Sequence, residues 1–154
     1  MKTIGLLLRR LTEALDGDVS SVYQDQEVSF SPRYFPIFRA LLREDSQSLR
    51  DLASATGLTH SAISQTSAQM RAAGLIELVR GQDGRERHAT ITPFGRAQLA
   101  ILEPVWAAIE QAADDLDQEL GFAFGTALEQ MLAVLGKQPF RDRILQKLAG
   151  VKHL

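Results

Sequence analysis

The stretch that decides the fold runs from Ser48 to Gly95: SLRDLASATGLTHSAISQTSAQMRAAGLIELVRGQDGRERHATITPFG. Ser48-Leu49-Arg50-Asp51 has the form of a capping box, with Asp51 in place of the usual Glu, and opens a short helix that Thr56-Gly57 closes. Thr59 caps a second helix, which runs to about Ala73 and stops at Gly74, a residue suited to the left-handed turn at a helix end. Two helices joined by a short turn containing glycine have the spacing of a helix-turn-helix. Beyond Gly74 the period changes. Leu75-Ile76-Glu77-Leu78-Val79 reads as a strand, Gly81-Gln82-Asp83-Gly84 as a turn, and His88-Ala89-Thr90-Ile91-Thr92 alternates as a returning strand. A β-hairpin placed directly behind a helix-turn-helix is a winged helix.

Outward from this core the chain is helical. Ile4, Leu8, Leu11, Leu15, Val19 and Val22 fall on one stripe of an N-terminal helix that Gly17 weakens without breaking. Ser31-Pro32 has the form of an N-cap with proline at the first helical position, opening a helix through Phe35, Phe38, Leu41 and Leu42. Thr92-Pro93 opens a long helix in which Leu102, Trp106, Ile109, Ala113, Leu116 and Leu120 step by 4, 3, 4, 3 and 4. That period of about 3.5 residues suits a seam against another long helix, and Pro104 is expected to bend it. Two further helices are expected, around Phe124 to Leu135 and Pro139 to Leu148. The fold class is therefore mainly α with a small β-hairpin wing, a winged helix-turn-helix flanked by long N- and C-terminal helices. One domain over 1–154 is expected, with a lobe at 31–96 and a helical frame made of 1–30 and 97–154.

Composition bounds what such a fold can do. The 154 residues are 45% apolar and 23% charged, the values of an ordinary folded protein. With no cysteine, disulfides, thiolate nucleophiles and Cys-based zinc sites are excluded. Ile4 to Leu8 stops at Arg9-Arg10, too short for a membrane span and with its charges behind the apolar run, so a soluble, cytoplasmic chain is expected. The formal charge is -2, divided as -2 over 1–32, +3 over 33–96 and -3 over 97–154, and all nine basic residues of the middle segment are arginines. The arginine fork matches phosphate and guanine, although unequal segments of any chain differ by a few charges. His60, His88 and His153 are too dispersed to suggest a metal site, and no cofactor is expected. The chain has no glycine-rich phosphate loop, no Gly-x-Ser-x-Gly elbow and no His-Glu-x-x-His, and no enzymatic activity is expected.

Asp83-x-Arg85, five residues, then Ile91-Thr92-x-x-Gly95 resembles the wing signature of the MarR family of bacterial transcriptional regulators. Leu49-x-x-Leu52-Ala53-x-x-x-Gly57-Leu58, and Ser64-Gln65 through Gly74-Leu75-Ile76, fall in register with the same family. Thr66 and Ser67 depart from it, standing where members often carry aliphatic residues, and Gln65 stands where many have arginine. The resemblance implies a homodimer joined through its terminal helices, which presents two recognition helices to a pseudo-palindromic double-stranded DNA site. It also implies a repressor that a small-molecule effector releases. An intramolecular bundle is the alternative for the terminal helices, and a winged-helix protein-interaction module without DNA binding is the alternative for the whole.

Residue roles follow from position. Early residues of a recognition helix approach base edges, which selects His60, Ser61, Ser64 and Gln65, while Ile63 and Met70 face the core. His60 can equally serve the helix start, and the serines can equally be solvated surface. Ser48 and Arg50, at the start of the preceding helix, are expected to meet phosphate. Arg85 and Arg87 lie where the wing reaches toward the minor groove, with Asp83 bracing Arg85. Glu86 between them is out of place against phosphate. Tyr23, Phe30, Tyr34, Phe35, Phe38 and Trp106 lie nearest the junction of frame and lobe. In the family, effectors bind at such a junction, which makes Tyr23, Phe30, Tyr34, Phe38 and Trp106 the candidate ligand residues. Any one of these rings can equally be core.

Overall fold

Three hydroxyl side chains set where helices begin in the quoted stretch. Ser48 Oγ accepts from the Asp51 N–H at 3.1 Å, Thr59 Oγ1 from Ala62 at 3.2 Å and Thr92 Oγ1 from Gly95 at 2.9 Å. Each satisfies an N–H that the first helical turn leaves without an intrahelical partner. The computed structural model describes residues 3–80 and 86–151. Its order is α1 (Ile4–Asp25), a 3-10 turn (Pro32–Tyr34), α2 (Phe35–Arg43), β1 (Ser46–Ser48), α3 (Leu49–Thr56), α4 (His60–Ala72), β2 (Ile76–Arg80), β3 (Arg87–Ile91), α5 (Pro93–Ala97), α6 (Leu99–Leu120), α7 (Phe124–Lys137) and α8 (Phe140–Val151). By its internal packing the chain divides into two compact units, Met1–Ala107 and Ala108–Leu154. It is a mainly α protein with a small antiparallel sheet as its wing.

In the first unit α3 ends at Gly57, whose φ of 70° is the left-handed turn that joins it to α4, and α4 ends before Gly74 at φ 74°. The hairpin strands lie one residue from their expected bounds. Thr92 leaves β3 because it caps α5, and Leu75 precedes β2 with its carbonyl accepting from the Thr92 N–H at 3.1 Å. β1 was not expected. It pairs antiparallel with β3, Ser46 opposite Thr90 and Ser48 opposite His88, giving the sheet order β1-β3-β2. Gln47 is buried within β1 and donates to the Ala40 carbonyl at 2.8 Å, satisfying the end of α2.

Two expected helices differ in detail. Ser31 makes no side-chain cap, and the helix expected from Pro32 begins as a 3-10 turn. Pro36 has no N–H to bond the Pro32 carbonyl, so the Phe35 N–H takes it instead and tightens the turn. The long helix expected from Pro93 is interrupted at Gln98, whose N–H is shared between the Phe94 and Gly95 carbonyls at 3.2 Å each. Pro104 lies inside α6. The expected seam is also divided: Leu102 and Trp106 are buried in the core of the first unit, whereas Leu116 and Leu120 are exposed.

That core joins Ile37, Phe38 and Leu41 of α2, Leu52 of α3, Ile63 and Met70 of α4, Leu75, Ile76 of β2, Ala89 of β3 and Leu102, all at most 1% exposed. An aromatic cluster closes it beside α1. Phe30 meets Tyr23, Tyr34 and Phe38 edge-on at 5.3, 5.6 and 5.5 Å between ring centres, and Trp106 lies 5.0 Å from Phe35. Trp106 Nε1–H donates to the Tyr23 hydroxyl at 3.1 Å, so the indole's one polar group is satisfied where both side chains are buried. In the second unit, the Phe124 N–H donates to Asp117 Oδ1 at 2.9 Å across the turn at Gly121, and Arg143 Nε donates to the Gln138 carbonyl at 3.2 Å beyond α7. Leu132 and Phe140 there are 69% and 63% exposed.

Two stability experiments test these packing arrangements at fixed protein concentration. A Cβ on Gly95 would stand 2.2 Å from the Leu75 carbonyl oxygen, so Gly95→Ala is expected to lower stability by about 3 kcal/mol, the upper end of overpacking costs. Gly17→Ala, with nothing near its Cβ inside α1, is expected to raise stability by up to ~1 kcal/mol. Thermal unfolding of both variants compares the two. Tyr23→Phe strands the Trp106 N–H and is expected to cost about 1–3 kcal/mol at neutral pH. Burial raises the Tyr23 phenol above its ordinary value, outweighing the opposing hydrogen bond to Trp106. The folded chain therefore favours the neutral phenol, and that contribution is present below the unfolded-state value and lost as pH rises through the folded one. Denaturant unfolding at neutral and at strongly alkaline pH is expected to show the gap between wild type and Tyr23→Phe narrowing in alkali.

Candidate nucleic-acid interface

Each helix of the helix-turn-helix shows two faces. On α4, Ile63, Thr66, Ser67 and Met70 are buried, and His60, Ser61, Ser64 and Gln65 are exposed. Positions four apart lie above one another on a helix, so His60 with Ser64 and Ser61 with Gln65 make two adjoining stripes. Ile63 and Met70 face the core as expected. Between them Ser67 brings a buried hydroxyl that has no hydrogen-bond partner among the described residues.

A cleft of about 470 Å³ opens beside the first of these stripes, lined by Ser48, Leu49, Arg50, His60, Ser64, Glu86 and Arg87. Five of the residues singled out from sequence thus come together from three places: the start of α3, the start of α4 and the foot of the wing. Ser61 and Gln65 lie outside the lining, on the exposed side of α4. Asp83 and Arg85, with the turn Gly81-Gln82-Asp83-Gly84, lie outside the described residues.

Ser48 differs from its expected part. It is 2% exposed, and its hydroxyl accepts from the Asp51 N–H while donating to Asp51 Oδ2 at 2.8 Å. Its work is internal, holding the first turn of α3 in place, and the charge at that helix start is supplied by Arg50, whose side chain is 75% exposed. Arg50 Nη2 is paired with Glu86 Oε1 across the cleft. Sequence reading marked Glu86 as out of place without finding this partner. The signal lies in the strand pairing: with Ser48 opposite His88 in an antiparallel register, the chain two residues past Ser48 comes beside the chain two residues before His88. A second ion pair, Arg96 Nη2 with Asp45, ties α5 to the segment leading into β1.

The candidate ligand residues are placed as core. Tyr23, Phe30, Phe38 and Trp106 are buried and Tyr34 is half-buried, in the edge-on cluster already described. Among the described residues no group of three or more His, Asp or Glu is placed to hold a metal ion. No helix among them is long and apolar enough to cross a membrane.

Residues 29–86 match the model of the MarR family. Among solved structures the chain is similar to the M. tuberculosis transcriptional regulator MOSR in complex with DNA, at 18% identity over 88% of this chain and 95% of that one, with a TM-score of 0.70. It is similar to the transcriptional repressor CouR bound to a 23-mer DNA duplex, at 22% identity, 86% and 92% coverage and a TM-score of 0.63. It is also similar to BpsR of Bordetella bronchiseptica, whose DNA binding is regulated by 6-hydroxynicotinic acid, at 23% identity, 72% and 79% coverage and a TM-score of 0.55. No curated protein matches the chain. The family match runs through both helices of the helix-turn-helix into the wing, and the fold is shared with these solved structures over most of the length, so the chain has the winged helix-turn-helix fold and its residues 29–86 are similar to the MarR family.

Proposed function

We propose that the protein is a sequence-specific, double-stranded DNA-binding regulator, a homodimeric repressor released by a small-molecule ligand. The observation that carries this reading is the cleft, which gathers two arginines and the polar start of the recognition helix from segments far apart in sequence. In this reading Arg50 and Arg87 meet the phosphate backbone, and His60, Ser61, Ser64 and Gln65 read base edges in the major groove. Ser48 orients the start of α3 for that role. Asp83 and Arg85, which lie outside the described residues, are assigned to the minor groove in the same reading. The role is binding rather than turnover, without cofactor or metal, in the cytoplasm.

The dimer in this reading is joined by a frame of residues 1–30 and 97–154. Its support is the apolar surface left open in the single chain: Ile4, Leu7 and Leu8 on α1, and Leu132, Phe140 and Leu148 on the last two helices. Exposed apolar residues at that density mark an interface. A two-fold dimer sets its recognition helices about one DNA turn apart, which requires a pseudo-palindromic site. BpsR, whose DNA binding is regulated by 6-hydroxynicotinic acid, supplies the precedent for control by a small aromatic acid. Here the ring cluster of Tyr23, Phe30, Tyr34, Phe38 and Trp106 is the candidate receptor, and a ligand entering it must part rings now packed on one another. A ligand acts only by its preference for one of two states, a coupling typically of ~1–3 kcal/mol.

Selection from a random duplex pool at low and moderate salt tests the reading. The expected product is an inverted repeat with adenine where Gln65 reads, and Gln65→Arg is expected to exchange that adenine for guanine, at about 1–3 kcal/mol of discrimination. Failure to enrich any sequence at either salt overturns DNA binding. Arg87→Ala is expected to weaken all duplexes alike and to reduce the slope of log affinity against log salt by about 0.9 for each phosphate that the variant no longer neutralises. Weakening confined to particular sequences would instead make Arg87 a base reader.

A further inference from the structure

The cleft contains a negative charge at the place where a nucleic acid brings its own. Glu86 pairs with Arg50 across it, with 31% of the Glu86 side chain exposed and Arg87 next in sequence on the same lining. A carboxylate can take the place of a phosphate on a guanidinium, because each presents a pair of anionic oxygens able to accept from the arginine fork. The position is fixed by the fold, since the β1–β3 register brings the start of α3 beside the foot of the wing. From this we infer that Glu86 is a built-in competitor for the DNA phosphate at Arg50. In the free protein the carboxylate takes up the Nη2 edge of Arg50, and a phosphate that docks on that edge must displace it.

The inference rests on the DNA-binding reading and goes beyond it, because it assigns one residue to weakening the complex. An exposed ion pair is a weak one, so the pair opens readily and handicaps binding rather than blocking it. The handicap is the same for every sequence, since it concerns the backbone alone. It leaves the approach of His60, Ser61, Ser64 and Gln65 to base edges untouched. A larger share of the remaining affinity then comes from groups that discriminate between sequences, and occupancy of unrelated DNA is held down.

The test uses the full-length protein and a short random-sequence duplex, with affinity followed by fluorescence anisotropy across a salt series. Glu86→Gln keeps the side chain's shape and removes its charge. It is expected to tighten binding at low salt by roughly 2–5-fold for each Arg50 engaged and to steepen the salt slope by up to about 0.9 per additional phosphate neutralised. Arg50→Ala and the double variant complete a cycle in which the gain should disappear once Arg50 is absent. Binding by Glu86→Gln where wild type shows none would support the proposal equally. Unchanged or weaker binding by Glu86→Gln overturns it and makes Glu86 a brace that presents Arg50. A gain that persists undiminished without Arg50 also overturns it, by reducing the effect to net charge. Absence of binding by wild type and every variant defeats the DNA-binding reading, and the proposal with it.

Discussion

The carbonyls of Gly74 and Leu75 are where the recognition helix, the wing and the following helix are tied together. Thr92 donates its N–H to the Leu75 oxygen at 3.1 Å and its hydroxyl to the Gly74 oxygen at 2.6 Å, and the same hydroxyl accepts from Gly95 at 2.9 Å. One side chain thereby closes α4, ends β3 and starts α5. Gly95 is required because the backbone of α5 lies so close to Leu75 that no Cβ fits between them. Were this junction looser, the hairpin could swing relative to α4, and the cleft formed by α3, α4 and the foot of the wing would lose its shape. The shape of the cleft depends on a backbone junction at the far end of the sheet's last strand.

Polarity is distributed unevenly under that surface. Ile63 and Met70 anchor α4, but the two buried positions between them are Thr66 and Ser67, and the Ser67 hydroxyl is unpaired among the described residues. A buried hydroxyl without a partner opposes folding by the desolvation it has suffered. The helix is held in place by its ends as much as by its inner face: the Thr59 cap at one, the left-handed Gly74 at the other. Its orientation toward the cleft is therefore a property of local backbone chemistry together with two large apolar anchors.

Much of this was legible in the sequence because the signals are local. Ser48, Thr59 and Thr92 announce helix starts through hydroxyls that reach only three residues along the chain, and Gly57 and Gly74 mark ends through a backbone conformation that favours glycine. The wing was legible from a change in period and from Thr92 and Gly95 standing behind it. What escaped was non-local. Ser46-Gln47-Ser48 carries no hydrophobic alternation and becomes a strand only because β3 offers it an edge, so neither the third strand nor the Arg50–Glu86 pair that follows from its register had a signature. The break at Gln98 and the 3-10 turn before Phe35 depend on how single N–H groups are shared or missing, which a hydrophobic pattern does not encode. The aromatic residues were visible as a set, while their packing on one another belongs to the folded core.

The two faces of α4 have a consequence for how such a protein changes over generations. His60, Ser61, Ser64 and Gln65 are exposed, and none of them fills the core or closes a helix end. The framework that positions them is built elsewhere, at Thr59, Ile63, Met70 and the Thr92 junction. Substitutions on the outer face are thus nearly invisible to folding, and a lineage can alter what that face presents one residue at a time while keeping a protein that folds at every step.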